Sequence, residues 1–240
     1  PSISLDKTNV QIAVDGDAFS LNVSTNGAPW TIGDVPDWMT FSPVNGTGNT
    51  VVNVSVKKNS MAVEREAAVV FLAESATAQL KVKQSAASAT LEIDKEYIEV
   101  GTGENTIKLS VTTNSATWVA NDVPEWVAIT PKSGSQSEEI QVVVAVNPSV
   151  NPRSCVIVFS AGDIFRELVI KQEGSAASIN LDKSSRNVPA SATSFTLQVI
   201  TNDAAWSVGD IPEWVSLDSF KGDKSATLTI EVDENTIAKT

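Results

Sequence analysis

The 240-residue sequence has no histidine. That rules out Ser-His-Asp triads, histidine acid–base catalysis and histidine-ligated metal centres. It has one cysteine, Cys155, so no disulfide can staple the chain to itself. Cys155 stands in register with Ala67 and reads as a small buried packing residue. No apolar run approaches the ~18 residues of a membrane-spanning helix, so direct membrane insertion is not expected. Helical periodicity is missing from every stretch of useful length. Positive charge is scarce: 17 Lys and Arg face 29 Asp and Glu, for a net charge of −12. Without a basic patch, nucleic acid and anionic membrane are poor partners.

What the sequence does have is a repeat. Trp30 to Trp38 reads Trp-Thr-Ile-Gly-Asp-Val-Pro-Asp-Trp, and it returns as Trp118 to Trp126 and as Trp206 to Trp214, 88 residues apart each time. The register needs no insertion. Asp6, Asp94 and Asp182 each precede a lysine; Thr25-Asn26 matches Thr113-Asn114 and Thr201-Asn202. Gly46, Gly134 and Gly222 align, as do Asn59, Asn147 and Asn235, Arg65 and Arg153, Gln84 and Gln172. So long a period means tandem copies of one domain, because solenoid repeats run roughly 20–50 residues. The expected domains are 1–86, 87–174 and 175–240. They hold six basic against eight acidic residues, six against twelve, and five against nine. A unit of this size can bury one core without disulfide, metal or cofactor.

Apolar and polar residues alternate with the period of half-buried strands. Ile3 and Leu5 point inward on the first strand, Phe19, Leu21 and Val23 on the second. Val52, Val54 and Val56 mark a long strand, and Ala67, Val69 and Phe71 one that is apolar on both faces around Val70, hence central. The Asp-Val-Pro-[Asp/Glu]-Trp segment turns the chain. Seven or so short strands with a tryptophan on the third predict an all-β fold of tandem immunoglobulin-like β-sandwich modules. The linkers are short, so the modules should string out end to end.

Candidate sites are few. Carboxylate pairs flank each turn proline (Asp34 with Asp37, Asp122 with Glu125, Asp210 with Glu213), where turn chemistry explains them and catalysis or calcium binding does not need to be invoked. Asp15-Gly16-Asp17 lacks the further ligands of a calcium loop. No catalytic, cofactor-binding or metal residues are therefore assigned. Trp30, Trp118 and Trp206 fall where sandwich domains bury a tryptophan. The second of each pair, Trp38, Trp126 and Trp214, lies near a module end and is a candidate sugar platform. So are Tyr97, Phe165 and Phe220, which have no aromatic counterpart in register.

The first-strand Leu-Asp-Lys, the Trp-x7-Trp pair, the Pro…Gly loop, the Val-rich strand ending in Asn, and the later Arg and Gln together resemble the BACON domain (Bacteroidetes-associated carbohydrate-binding often N-terminal). The resemblance covers nearly the whole chain. It implies a secreted or cell-surface, non-enzymatic module associated with glycan or mucin binding, set beside neighbouring modules of a longer chain. A spacer or stalk, on a bacterial surface or a phage virion, is the alternative it allows. The third copy departs from the pattern. Thr240 aligns with Pro152, so counterparts of Cys155, Ile157, Phe159, Leu168 and Ile170 are missing. It is expected not to fold alone; further chain supplies its two strands, or another chain donates them.

Overall fold

The computed structural model describes residues 1–236; the alignment of Thr240 with Pro152 lies outside them. Repeat 1 forms nine strands: β1 (Ile3–Leu5), β2 (Asn9–Ile12), β3 (Asp17–Thr25), β4 (Pro29–Ile32), β5 (Met39–Ser42), β6 (Asn45–Thr47), β7 (Thr50–Val56), β8 (Arg65–Ala73) and β9 (Ala76–Gln84). Repeat 2 repeats them as β10 (Leu91–Ile93), β11 (Tyr97–Val100), β12 (Asn105–Thr113), β13 (Trp118–Asn121), β14 (Val127–Thr130), β15 (Ser133–Gly134), β16 (Glu138–Val144), β17 (Arg153–Ala161) and β18 (Ile164–Gln172). Repeat 3 has β19 (Ile179–Leu181), β20 (Thr193–Thr201), β21 (Trp206–Ser207), β22 (Val215–Leu217), β23 (Lys221–Gly222) and β24 (Ala226–Val232).

In repeats 1 and 2 a four-stranded antiparallel sheet (β1-β3-β7-β5; β10-β12-β16-β14) faces a five-stranded one (β2-β9-β8-β4-β6; β11-β18-β17-β13-β15). Each pair is an immunoglobulin-like β-sandwich. The apolar runs of β8 and β17 sit inside the five-stranded sheets. The short strands β2 and β11 pair parallel with β9 and β18, a feature that four residues with two apolar positions did not announce.

The alternation delivers one core per sandwich. Leu21, Val23, Val52, Val54, Val69, Phe71 and Leu80 are buried in repeat 1, and Leu109, Val111, Ile140, Val142, Ile157, Phe159 and Leu168 in repeat 2. Trp30 and Trp118 lie within these cores, 3% and 0% exposed, tilted against Phe71 and Phe159 at 6.0 and 6.1 Å. The recurrent glycine explains itself here. A Cβ on Gly46, Gly134 or Gly222 would approach the tryptophan ring to 2.9, 3.0 or 2.7 Å, so only glycine lets the ring lie flat on the strand.

Repeat 3 keeps a four-stranded sheet, β19-β20-β24-β22, and a two-stranded remnant, β21-β23; its described residues contain no counterpart of β8 and β9. Its buried cluster shrinks to Val199, Trp206 and Leu228, with Ala204 and Val232 buried apart from it. Ile179 and Leu181 are about half exposed. They open onto an apolar hollow of about 650 Å³ shared with Leu197, Trp206 and Ile230.

Candidate functional site

The six aromatic candidates separate into three environments. Trp38 and Trp126 are half-buried against their cores. The Arg65 guanidinium sits 4.6 Å from the Trp38 ring centre, and Arg153 sits 4.5 Å from that of Trp126. Each arginine is fixed in turn. Nε of Arg65 donates to Gln84 Oε1 at 2.9 Å, and its Nη2 donates to the Lys57 and Lys58 carbonyls. Arg153, Gln172, Ala145 and Val146 repeat the arrangement. The recurrent Arg and Gln thus clamp the second tryptophan, and the ring face a sugar would need is taken by a cation. Trp214, with no arginine over it among the described residues, is 55% exposed at the open end of repeat 3. Phe220 is exposed in the loop before β23, where its carbonyl accepts from Val208 N.

Tyr97 and Phe165 come together differently. β11 pairs with β18, Tyr97 lies opposite Val169, and Phe165 is on the same strand as Val169 four residues away, so both rings project from the outer face of one sheet. They are 49% and 59% exposed.

The carboxylates flanking the turn prolines do not assemble a site. The turns close through Met39 N to the Pro36 carbonyl, with Val127 to Pro124 and Val215 to Pro212 in register. Among the described residues no group of three or more Cys, Asp or Glu is placed to hold a metal ion. The Leu-Asp-Lys aspartates are structural: Asp6, Asp94 and Asp182 each accept a backbone N–H from the neighbouring strand, from Asn22, Ser110 and Gln198, at 2.8 Å. Cys155 is half-buried rather than fully buried, and burial pushes its thiol pKa up, away from reactivity. Like Ala67, with which it is in register, Cys155 packs against its core from a partly buried position.

The Asn59/Asn147 and Thr-Asn positions, which sequence reasoning could only match, meet at the joints between repeats. Buried Asn59 shapes the loop after β7, donating to the Val63 and Ser85 carbonyls. That loop docks on the next repeat. Ala62 N donates to the Asn114 carbonyl (2.7 Å), and Asn114 Nδ2 donates to the carbonyls of Ser60 (3.1 Å) and linker Ser88 (2.9 Å). Ala62 also packs on the core of repeat 2. The second joint uses the same atoms: Val150 N to the Asn202 carbonyl (2.9 Å), and Asn202 Nδ2 to Pro148 (3.0 Å) and Ala176 (2.9 Å).

Residues 28–85 and 116–173 match the family model of the BACON domain, described as "Putative binding domain, N-terminal". The chain carries two BACON domains, one in each of its first two repeats. No curated protein matches it. Among solved structures, a GH5 xyloglucanase of Bacteroides ovatus, in complex with a XXXG heptasaccharide, is 27% identical over 42% of this chain and 22% of its own, with a TM-score of 0.34. A pair of titin immunoglobulin tandem domains is 10% identical over 71% of this chain and 95% of its own, at 0.39. Domains 4 and 5 of the S-layer protein SbsC are 19% identical over 62% and 78%, at 0.32. At scores this low none of them carries a conclusion. The chain spans 22% to 39% of the xyloglucanase and of two endo-fucoidan hydrolases that it also matches. The family match supports a carbohydrate-associated module of an extracellular or surface protein; BACON and tandem immunoglobulin-like folds are generally non-catalytic. No described helix is long and apolar enough to cross a membrane.

Proposed function

We propose that the chain is a stiff, non-catalytic spacer within a carbohydrate-associated surface protein, its domains being 1–86, 87–174 and 175–240. One observation carries this reading: two joints built from the same hydrogen bonds at the same register, each closed by an asparagine that ties the preceding loop, the linker and the next sandwich. A flexible string of domains needs no such contact. The asparagines that recur every 88 residues then mark the connector rather than a ligand site. The third unit is read as a further BACON-type copy because it supplies the receiving asparagine, Asn202. The spacer sits on a bacterial surface in this reading, with a phage virion the alternative carrier.

Small-angle scattering of the 240-residue protein tests it. A single compact body of this length has a radius of gyration of roughly 18 Å, whereas three sandwiches end to end give roughly 30 Å. The smaller value would refute the spacer. Direct binding of a neutral glycan or of mucin is the second reading, favoured by Tyr97 and Phe165 sharing one exposed sheet face.

A further inference from the structure

Repeats 1 and 2 keep the same kinds of residue in their cores, so a consistent shift toward apolar residues on an outer face is informative. On the five-stranded sheet of repeat 2 the register sets the outward side chains in four rows. They are Glu99–Lys171–Ser154, Tyr97–Val169–Val156, Glu167–Val158–Asn121 and Phe165–Ser160–Val119. Repeat 1 has Asn9, Thr31, Ala68, Thr77 and Lys81 where repeat 2 has Tyr97, Val119, Val156, Phe165 and Val169. All five exchanges add apolar surface; one neighbour, Leu72 to Ser160, goes the other way. Asn9, Ala68 and Lys81 line a shallow hollow of about 290 Å³ in repeat 1, at the place that Tyr97, Val156 and Val169 occupy in repeat 2. Tyr97, Val119, Val156 and Phe165 stay exposed, so the exchanges do nothing for the core. An exposed apolar patch of this kind marks a contact surface.

We propose that this face of repeat 2 is a platform for a neutral, extended polysaccharide, with Tyr97 and Phe165 as its stacking rings. The proposal rests on the carbohydrate association of the second reading above and not on the rod. Charge selects the class of glycan. Repeat 2 has twelve acidic residues against six basic ones, and Glu99 and Glu167 lie on the face itself, so an anionic glycan is repelled. Layout favours a polysaccharide over a protein. Glu167 stands between the two ring-bearing rows, and Glu99 and Lys171 border the first of them, rather than forming a distant rim. Protein interfaces deplete charge at their centre, and a protein covering this face would strip the carboxylates of water. A polysaccharide offers hydroxyls to those groups while its apolar ring faces lie on the aromatic rings. Tyr97 is already held for the task. Its hydroxyl donates to Glu99 Oε2 at 3.0 Å. The Lys171 ammonium lies 5.6 Å from the ring centre, farther than the arginines over Trp38 and Trp126, and must swing aside for a sugar to stack on that face. Four residues along the strand separate the two ring-bearing rows, about 13 Å, a span of several sugar units.

Affinity electrophoresis of the 240-residue protein tests this, in gels containing xyloglucan, galactomannan or dextran, with polygalacturonate as the anionic polymer. At least one neutral polymer should retard the protein and polygalacturonate should not. The double variant Y97N/F165T installs the residues repeat 1 carries at those places, so the fold is kept, which a melting curve checks. Its retardation should weaken about tenfold or more. Retardation unchanged in the variant moves the contact elsewhere and overturns the platform alone. No retardation of the parent by any neutral polymer overturns the glycan reading with it, leaving the spacer untouched. Retardation by polygalacturonate overturns the charge argument. Sedimentation showing self-association that Y97N/F165T abolishes would assign the face to a second copy instead, and overturn the proposal.

Discussion

Repeats 2 and 3 carry the same tryptophan pair, the same glycine under the first tryptophan and the same aspartate–lysine start, yet repeat 2 closes a core and the described residues of repeat 3 do not. In repeat 2, Trp118 meets Phe159 in a core whose Leu109, Ile140, Ile157, Leu168 and Ile170 are completely buried. In repeat 3, Trp206 is buried against few partners, Leu181 lies half in solvent and no arginine covers Trp214 among the described residues. The motif that defines the repeat is therefore not what stabilises it. Stability resides in the β17–β18 hairpin, which brings Ile157, Phe159, Leu168 and Ile170 to the tryptophan and Arg153 and Gln172 to the turn.

The largest consequence follows from that hairpin. Four or five large apolar side chains at ~1.5–3 kcal/mol each amount to about 10 kcal/mol, comparable with the ~5–15 kcal/mol that stabilises a whole domain. Residues 87–174 should melt cooperatively, and residues 175–240 alone should show no cooperative transition by circular dichroism. A peptide of residues 153–173 added in trans should restore one by strand complementation. Next in size, Phe159→Ala should cost about 3–5 kcal/mol in urea unfolding of repeat 2, moving it toward the state of repeat 3. A smaller change sharpens the contrast. Gly134→Ala drives a Cβ into the Trp118 ring and should cost about 1–3 kcal/mol; Gly222→Ala should cost less, because the Trp206 ring can shift toward the open hollow.

The smallest effect should not distinguish the repeats at all. The Asn22 N–H holds the Asp6 carboxyl below its ordinary pKa of 3.8, and the Lys183 ammonium does the same for Asp182. At Asp94 burial pulls upward but is outweighed by Lys95 and the Ser110 N–H. A folded pKa below the unfolded one gives stability that is present above about pH 4 and is lost as pH falls through the folded value. Acid titration of the full chain should lower stability below pH 4. Asp94→Asn should reduce that dependence in repeat 2, and only modestly because the group is exposed.

Much of the fold was legible in the sequence. Alternation placed the long strands because one face of each is wet, and Trp30 and Trp118 were readable as core from the expected third strand, which is the fourth, β4 and β13, once β2 and β11 are counted. Strands β2 and β11 were not, because four residues with two apolar ones carry too little period to be told from a loop. The candidate face was half legible. Tyr97 and Phe165 stood out as aromatic residues unmatched in register, but Val119, Val156 and Val169 did not, since an outward valine looks like an inward one until pairing fixes the register. Asn114 and Asn202 were visible only as a repeated letter, because their partners belong to the preceding unit.

The spacer account turns on whether those asparagines lock the joint. Nitroxides on S55C and Q141C, in a C155A background that borrows the alanine of repeat 1, report the distance between the first two sandwiches by pulsed electron resonance. The account predicts one narrow distance distribution, clearly broadened by Asn114→Ala with both domains still folded. A distribution already broad in the parent, or one left narrow by Asn114→Ala, would contradict it.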